Sequence, residues 1–109
     1  MMQHENLGKG AWAEMPLAQQ MANIGSESFR ATKWLMKGRA DNADRAFERM
    51  QELVDLSIAF CRRNTPNRKA FLKEICRFRE LFCEAYLSAD LAELNALNSY
   101  LDQFAKVKK

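Results

Sequence analysis

A chain of 109 residues with 17 basic and 14 acidic side chains, 4 glycines and 2 prolines has material for one hydrophobic core built from long helices. Its net charge of +3 falls short of the concentrated charge of a dedicated nucleic-acid binder, and no run of about 18 apolar residues could form a transmembrane helix. Gln3, His4 and Glu5 lack a signal peptide's basic and apolar regions, and the 3 cysteines, an odd number inside apolar patterns, read as reduced thiols, so a cytoplasmic protein is expected.

Residues 1–15 show no helical period, with Gly8 and Gly10 around Lys9, and are expected to form a flexible arm from which Trp12 and Met15 could dock. A single helical domain should occupy 16–109. Pro16 suits a first helical turn, and Leu17, Met21, Ile24, Ser28, Ala31 and Leu35 follow at three- and four-residue spacing, which predicts a helix over 16–37. Gly25 and Ser26 interrupt it at about 1 kcal/mol of helix propensity relative to alanine, so a close backbone approach or a bend is expected there.

Gly38 supplies a left-handed stop, and Asp41 or Asn42 a cap for a second helix over 42–63. That helix carries Ala43, Ala46, Phe47, Met50, Val54, Ser57, Ile58 and Cys61 on one face. Leu53, Leu56 and Phe60 widen the face beyond what one neighbour would cover. The breaker Asn64, Thr65, Pro66, Asn67 precedes a third helix over 66–87, with Thr65 a candidate cap. Phe71, Ile75, Phe78, Phe82 and Ala85 form its apolar row, into which Arg68 and Arg79 intrude; Arg79 is therefore a candidate for a buried ion pair. After Ser88 to Asp90, Leu94, Leu97, Leu101 and Phe104 mark a fourth helix over 90–106. Short connections make consecutive helices antiparallel neighbours, so the predicted fold is all-α, an antiparallel up-down four-helix bundle with a flexible N-terminal arm.

No catalytic, cofactor-binding or metal-binding constellation is expected. His4, the sole histidine, lies in the arm, Cys61, Cys76 and Cys83 make an incomplete zinc set better read as core, and Glu48, Glu52 and Asp55 read as a solvated face offset by Arg45 and Arg49. Two surface candidates stand out. Arg62, Arg63, Arg68, Lys69, Lys73 and Arg77 form a candidate patch for an anionic partner, although helix-end charges and ordinary surface lysines account for it more simply. Leu53, Leu56 and Phe60, with Phe29 and Trp34 at similar marginal positions, form a candidate homodimer interface.

The segments MANIGSESFRATKWLMKG and RAFERMQELVDLSI, residues 21–38 and 45–58, resemble a small bacterial helical family with ANIGSE, KW and RAFER-x-x-EL-x-DL-x-I elements, and the resemblance continues weakly through KEICRFRELFCE. That family has no assigned activity and begins near the ANIGSE segment, which makes the first twenty residues an extension. More distantly, the Lys33-Trp34 start and the 46–58 helix are similar to HEPN and nucleotidyltransferase substrate-binding bundles, whose members act in RNA cleavage or toxin-antitoxin pairs. HEPN ribonucleases place a histidine after an arginine, and no histidine here follows any arginine. The expected function is a non-enzymatic protein-interaction or self-associating module, the alternative an HEPN-like accessory or antitoxin-type partner. A homodimer is the expected state, and nucleic acid remains an open partner class.

Overall fold

The computed structural model describes Trp12, residues 14–60 and residues 67–107, the last four by backbone alone. Four helices follow in order: α1 (Leu17–Met36), α2 (Ala40–Phe60), α3 (Arg68–Leu87) and α4 (Leu91–Val107). Contacts between helices run in opposite directions along each neighbouring pair. Gln20 of α1 meets Ser57 of α2, and Glu27, two turns later, meets Arg49, two turns earlier. Asp55 and Asp44 of α2 likewise pair with Arg79 and Tyr86 of α3, and Gly25 and Thr32 of α1 lie against Leu101 and Asn98 of α4. Every helix is antiparallel to its neighbours, the up-down bundle that short connections require.

Helix ends follow local chemistry. At the end of α1, Gly38 adopts φ 74°, its N–H donates to the Leu35 carbonyl and the Arg39 N–H donates to the Trp34 carbonyl, a complete Schellman closure. Helix α2 then starts at Ala40, ahead of the expected cap: the Ala43 N–H already reaches the Arg39 carbonyl, so Asp41 lies in the first turn, where its charge favours the helix dipole. Helix α3 begins at Arg68 after the left-handed Asn67, two residues later than expected; Thr65 and Pro66 lie outside the described residues. Asp90 caps α4 by accepting the Glu93 N–H at 3.1 Å.

Cα atoms of α1 approach α2 and α4 far more extensively than those of α3 approach either neighbour. Side-chain size explains the asymmetry. Ala31, Ala43 and Ala46 are fully buried, and Gly25 sits so close to α4 that a Cβ there would stand 3.5 Å from Leu101 Cβ, which is the close approach expected of that glycine. Helix α3 instead fills the core with Phe71, Ile75, Phe78, Phe82 and Tyr86, and rings hold it farther off. Phe47 of α2 stacks on Tyr86, ring centroids 4.3 Å apart.

Trp12 docks, as the sequence allowed, and its packing leaves Trp12 and Met15 outside the expected flexible arm. Its side chain is fully buried in the core and Met15 packs against that core, so the ordered body begins before Pro16. Residues 1–11 lie outside the described residues.

Candidate functional site

Most polar groups inside the bundle are occupied by one another. At the end of the bundle holding the N-terminus of α1 and the C-terminus of α2, the Trp12 indole N–H donates to Ser57 Oγ at 3.0 Å, and Ser57 Oγ donates to Gln20 Oε1 at 2.9 Å. Gln20 Nε2 closes the ring by donating to the carbonyls of Trp12 and Met15. Between α1 and α4, Asn98 Nδ2 donates to Thr32 Oγ1, while Ser28 Oγ lies 2.7 Å from Asn98 Oδ1. Such closed sets fix the register of helices.

The residues singled out from sequence fare unequally. Leu53 and Leu56, proposed as an interface, are core residues at 2% and 1% exposure, and Phe60 packs against the same core. The broad apolar arc of α2 is covered within the chain, by α1, by α3 and by the segment anchored at Ser57. Arg79 is paired as expected, its Nη1 2.6 Å from Asp55 Oδ1, but the pair is not buried, since the Asp55 side chain is 58% exposed. Cys76 is exposed rather than in the core, and Cys83 is half-buried beside Gln51, where burial pushes its thiol pKa up. Of the anionic-partner patch, Arg62 and Arg63 lie outside the described residues. Lys69, Lys73 and Arg77 form an exposed stripe one turn apart on α3, and Arg68 is half-buried. Beside that stripe, Glu74, Arg77, Phe78, Leu97 and Tyr100 line a groove of about 260 Å³ between α3 and α4, where the Tyr100 hydroxyl donates to Glu74.

A different surface gathers more charge. On the solvent side of α1, Ser26, Phe29, Arg30, Lys33 and Trp34 line an open groove of about 330 Å³, and Phe29 is 59% exposed. Lys37 Nζ and the Arg39 guanidinium lie 5.5 and 5.6 Å from the centre of the Trp34 ring, a cation-π arrangement that draws both toward the end of α1. Along the adjoining edge of α2, Arg49 reaches Glu27 Oε1 at 3.3 Å and Arg45 donates to Asn42 Oδ1. Glu27 also takes Arg30 at 2.7 Å, so its carboxylate bridges the two guanidiniums. Asp41, in the first turn of α2, offsets part of the remaining charge. The sequence flags Phe29 and Trp34, and sets Arg45 and Arg49 against Glu48, Glu52 and Asp55, but does not gather these cations into one surface, because they are scattered over two helices and a turn. A helical wheel of α1 carries the signal, placing residues 26, 29, 30, 33, 34 and 37 in one arc.

The antiparallel topology puts the α1–α2 and α3–α4 turns at one end of the molecule. Met36 and Leu87, at the starts of these turns, are 57% and 81% exposed, and Leu91 is also exposed. Lys37 and Arg39 belong to the first turn, Asp90 and Glu93 to the second. Compared with family models, with curated proteins and with solved structures, the chain has no match.

Proposed function

We propose that this chain is a non-enzymatic helical module that acts by association, pairing with a second copy through the end of the bundle that carries its two turns. The supporting observation is the exposure of Met36, Leu87 and Leu91 at that end, between a basic turn and an acidic one. Large apolar side chains grouped on a surface favour removal from water, at about 25 cal/mol for each Å² covered. A two-fold axis perpendicular to the bundle, crossing its end face between the two turns, would set the α1–α2 turn of one copy over the α3–α4 turn of the other. Lys37 and Arg39 would then face Asp90 and Glu93 of the second copy, and the same pairing would recur on the far side of the axis. This self-complementarity favours a second copy over an unrelated partner.

Light scattering on the full chain at micromolar concentration should return twice the monomer mass. Changing Met36→Asp together with Leu87→Asp places two charges in the contact and should halve that mass without altering the circular dichroism, because both side chains project into solvent. A monomer mass for the unaltered chain refutes the proposal.

A further inference from the structure

We propose that the outward face of α1, with the adjoining edge of α2, binds single-stranded nucleic acid, a base stacking on Phe29 and phosphates held by Arg30, Lys33 and Arg45. Arg30, Lys33, Lys37, Arg39, Arg45 and Arg49 stand on this face and on the turn beside it. Glu27 is shared between Arg30 and Arg49, Arg45 has the neutral amide of Asn42 as its partner, and Lys33 meets no carboxylate among the described residues. Carboxylates edge this face, Glu27 between Arg30 and Arg49, and Asp41 and Glu48 within a turn of Arg45. The lining of the groove itself, Ser26, Phe29, Arg30, Lys33 and Trp34, has no acidic residue, and its cations attract phosphates over a range of about a Debye length, 8 to 10 Å.

Phe29 narrows the choice of ligand. A phenyl ring more than half exposed beside a cation-lined groove presents a flat apolar face that carboxylates do not favour and that the paired, stacked bases of a duplex cannot reach. It does serve an unpaired base, since stacking on an aromatic ring strengthens single-strand binding by about 1–3 kcal/mol per base whatever the sequence. Trp34, half-buried in the same groove, places an indole beside the bound strand and supplies a spectroscopic reporter. Trp12, the other tryptophan, is fully buried and belongs to the opposite end of α1.

The test is fluorescence anisotropy of a labelled oligothymidylate of about ten nucleotides, within the site size of single-strand binders, titrated with the full chain at low ionic strength. A duplex of equal length and polyglutamate serve as comparators. Binding should be saturable, should quench tryptophan emission and should weaken with added salt. Lys33→Glu with Arg45→Glu should weaken it at least ten-fold and flatten its salt dependence. Phe29→Ala should weaken single-strand binding about five-fold or more, the equivalent of one stacked base, and leave duplex binding unchanged. All three side chains are exposed, and unchanged thermal melts will show that the variants fold. The variants spare Lys37 and Arg39, which the end-to-end pairing uses, and the Met36→Asp, Leu87→Asp protein should bind as the unaltered chain does, which separates this proposal from self-association. Absence of saturable binding by the unaltered chain overturns it. So does equal weakening of single strand and duplex by Phe29→Ala, or competition by polyglutamate as effective as unlabelled oligothymidylate at equal charge.

Discussion

Trp12 ties three parts of the chain together. Its ring is fully buried, its indole N–H is consumed by Ser57 of α2 and its carbonyl accepts from Gln20 of α1. Replacing a buried tryptophan with alanine removes its transfer energy and leaves a cavity, an effect of about 3–5 kcal/mol. Trp12→Ala should therefore lower the unfolding free energy measured in urea by that amount, whereas a loss below about 1 kcal/mol would mean that the segment before Pro16 contributes little. The same bonds explain why Leu53, Leu56 and Phe60 misled as an interface. The arc they widen on α2 carries Ser57, and Ser57 is covered by a residue 45 positions earlier in the chain. No helical period reaches across that separation: Trp12 stands in an aperiodic stretch, and both partners that hold it, Gln20 and Ser57, are polar residues that a hydrophobic pattern passes over.

At the scale of elements, the two turns at the exposed end use the same closure with different residues. After α3, the Ala89 N–H reaches the Tyr86 carbonyl and the Asp90 N–H reaches the Ala85 carbonyl, as Gly38 and Arg39 do after α1. Ala89 thus holds φ 55°, a left-handed value that its Cβ disfavours, where α1 has glycine at φ 74°. Ala89→Gly should relieve that strain and raise stability by about 0.5–1 kcal/mol, part of the gain being offset by the freedom glycine adds to the unfolded chain. Gly38→Ala should lower it by about 1 kcal/mol, since nothing lies within 4 Å of the new Cβ to compensate. Thermal melts of the two variants should move in opposite directions; movement in the same direction would show that the turn conformation is not what decides them. The helices themselves were legible because apolar spacing records them directly, and Gly38 announced its turn. The start of α2 was not, because Ala40 is a better helix former than the aspartate and asparagine expected to cap it, and the backbone carbonyl of Arg39 makes a side-chain cap unnecessary for Ala43.

Across the whole molecule, α3 is the helix held least by backbone proximity and most by aromatic side chains, so its attachment depends on what those side chains carry. Tyr86 bridges it to α2, its ring stacked on Phe47 and its hydroxyl donating to Asp44 at 2.6 Å, and Tyr100 bridges it to α4 through Glu74. Burial first, and then the hydrogen bond and charge of Asp44, push the Tyr86 phenol pKa well above its ordinary value. At Tyr100 the hydrogen bond to Glu74 leads, with burial and the Glu74 charge adding to it. Both shifts mean that the folded chain holds the phenolic proton to higher pH than the unfolded chain does. The stabilisation is therefore fully present below about pH 10, where unfolded tyrosine begins to ionise, and is lost as pH rises through the folded values. These are the 2 tyrosines of the chain, so absorbance at the phenolate band reports both without interference. Titration of the folded protein should show little phenolate at pH 10, followed by an abrupt rise coincident with loss of helical circular dichroism, as unfolding exposes both groups together. Tyr86→Phe keeps the stack on Phe47 and removes the proton, so its stability should decline less steeply above pH 10. A smooth titration centred on pH 10 with helicity unchanged would show that neither phenol bridges its helices, and that α3 is held by burial of Phe71, Ile75, Phe78 and Phe82 without these polar ties.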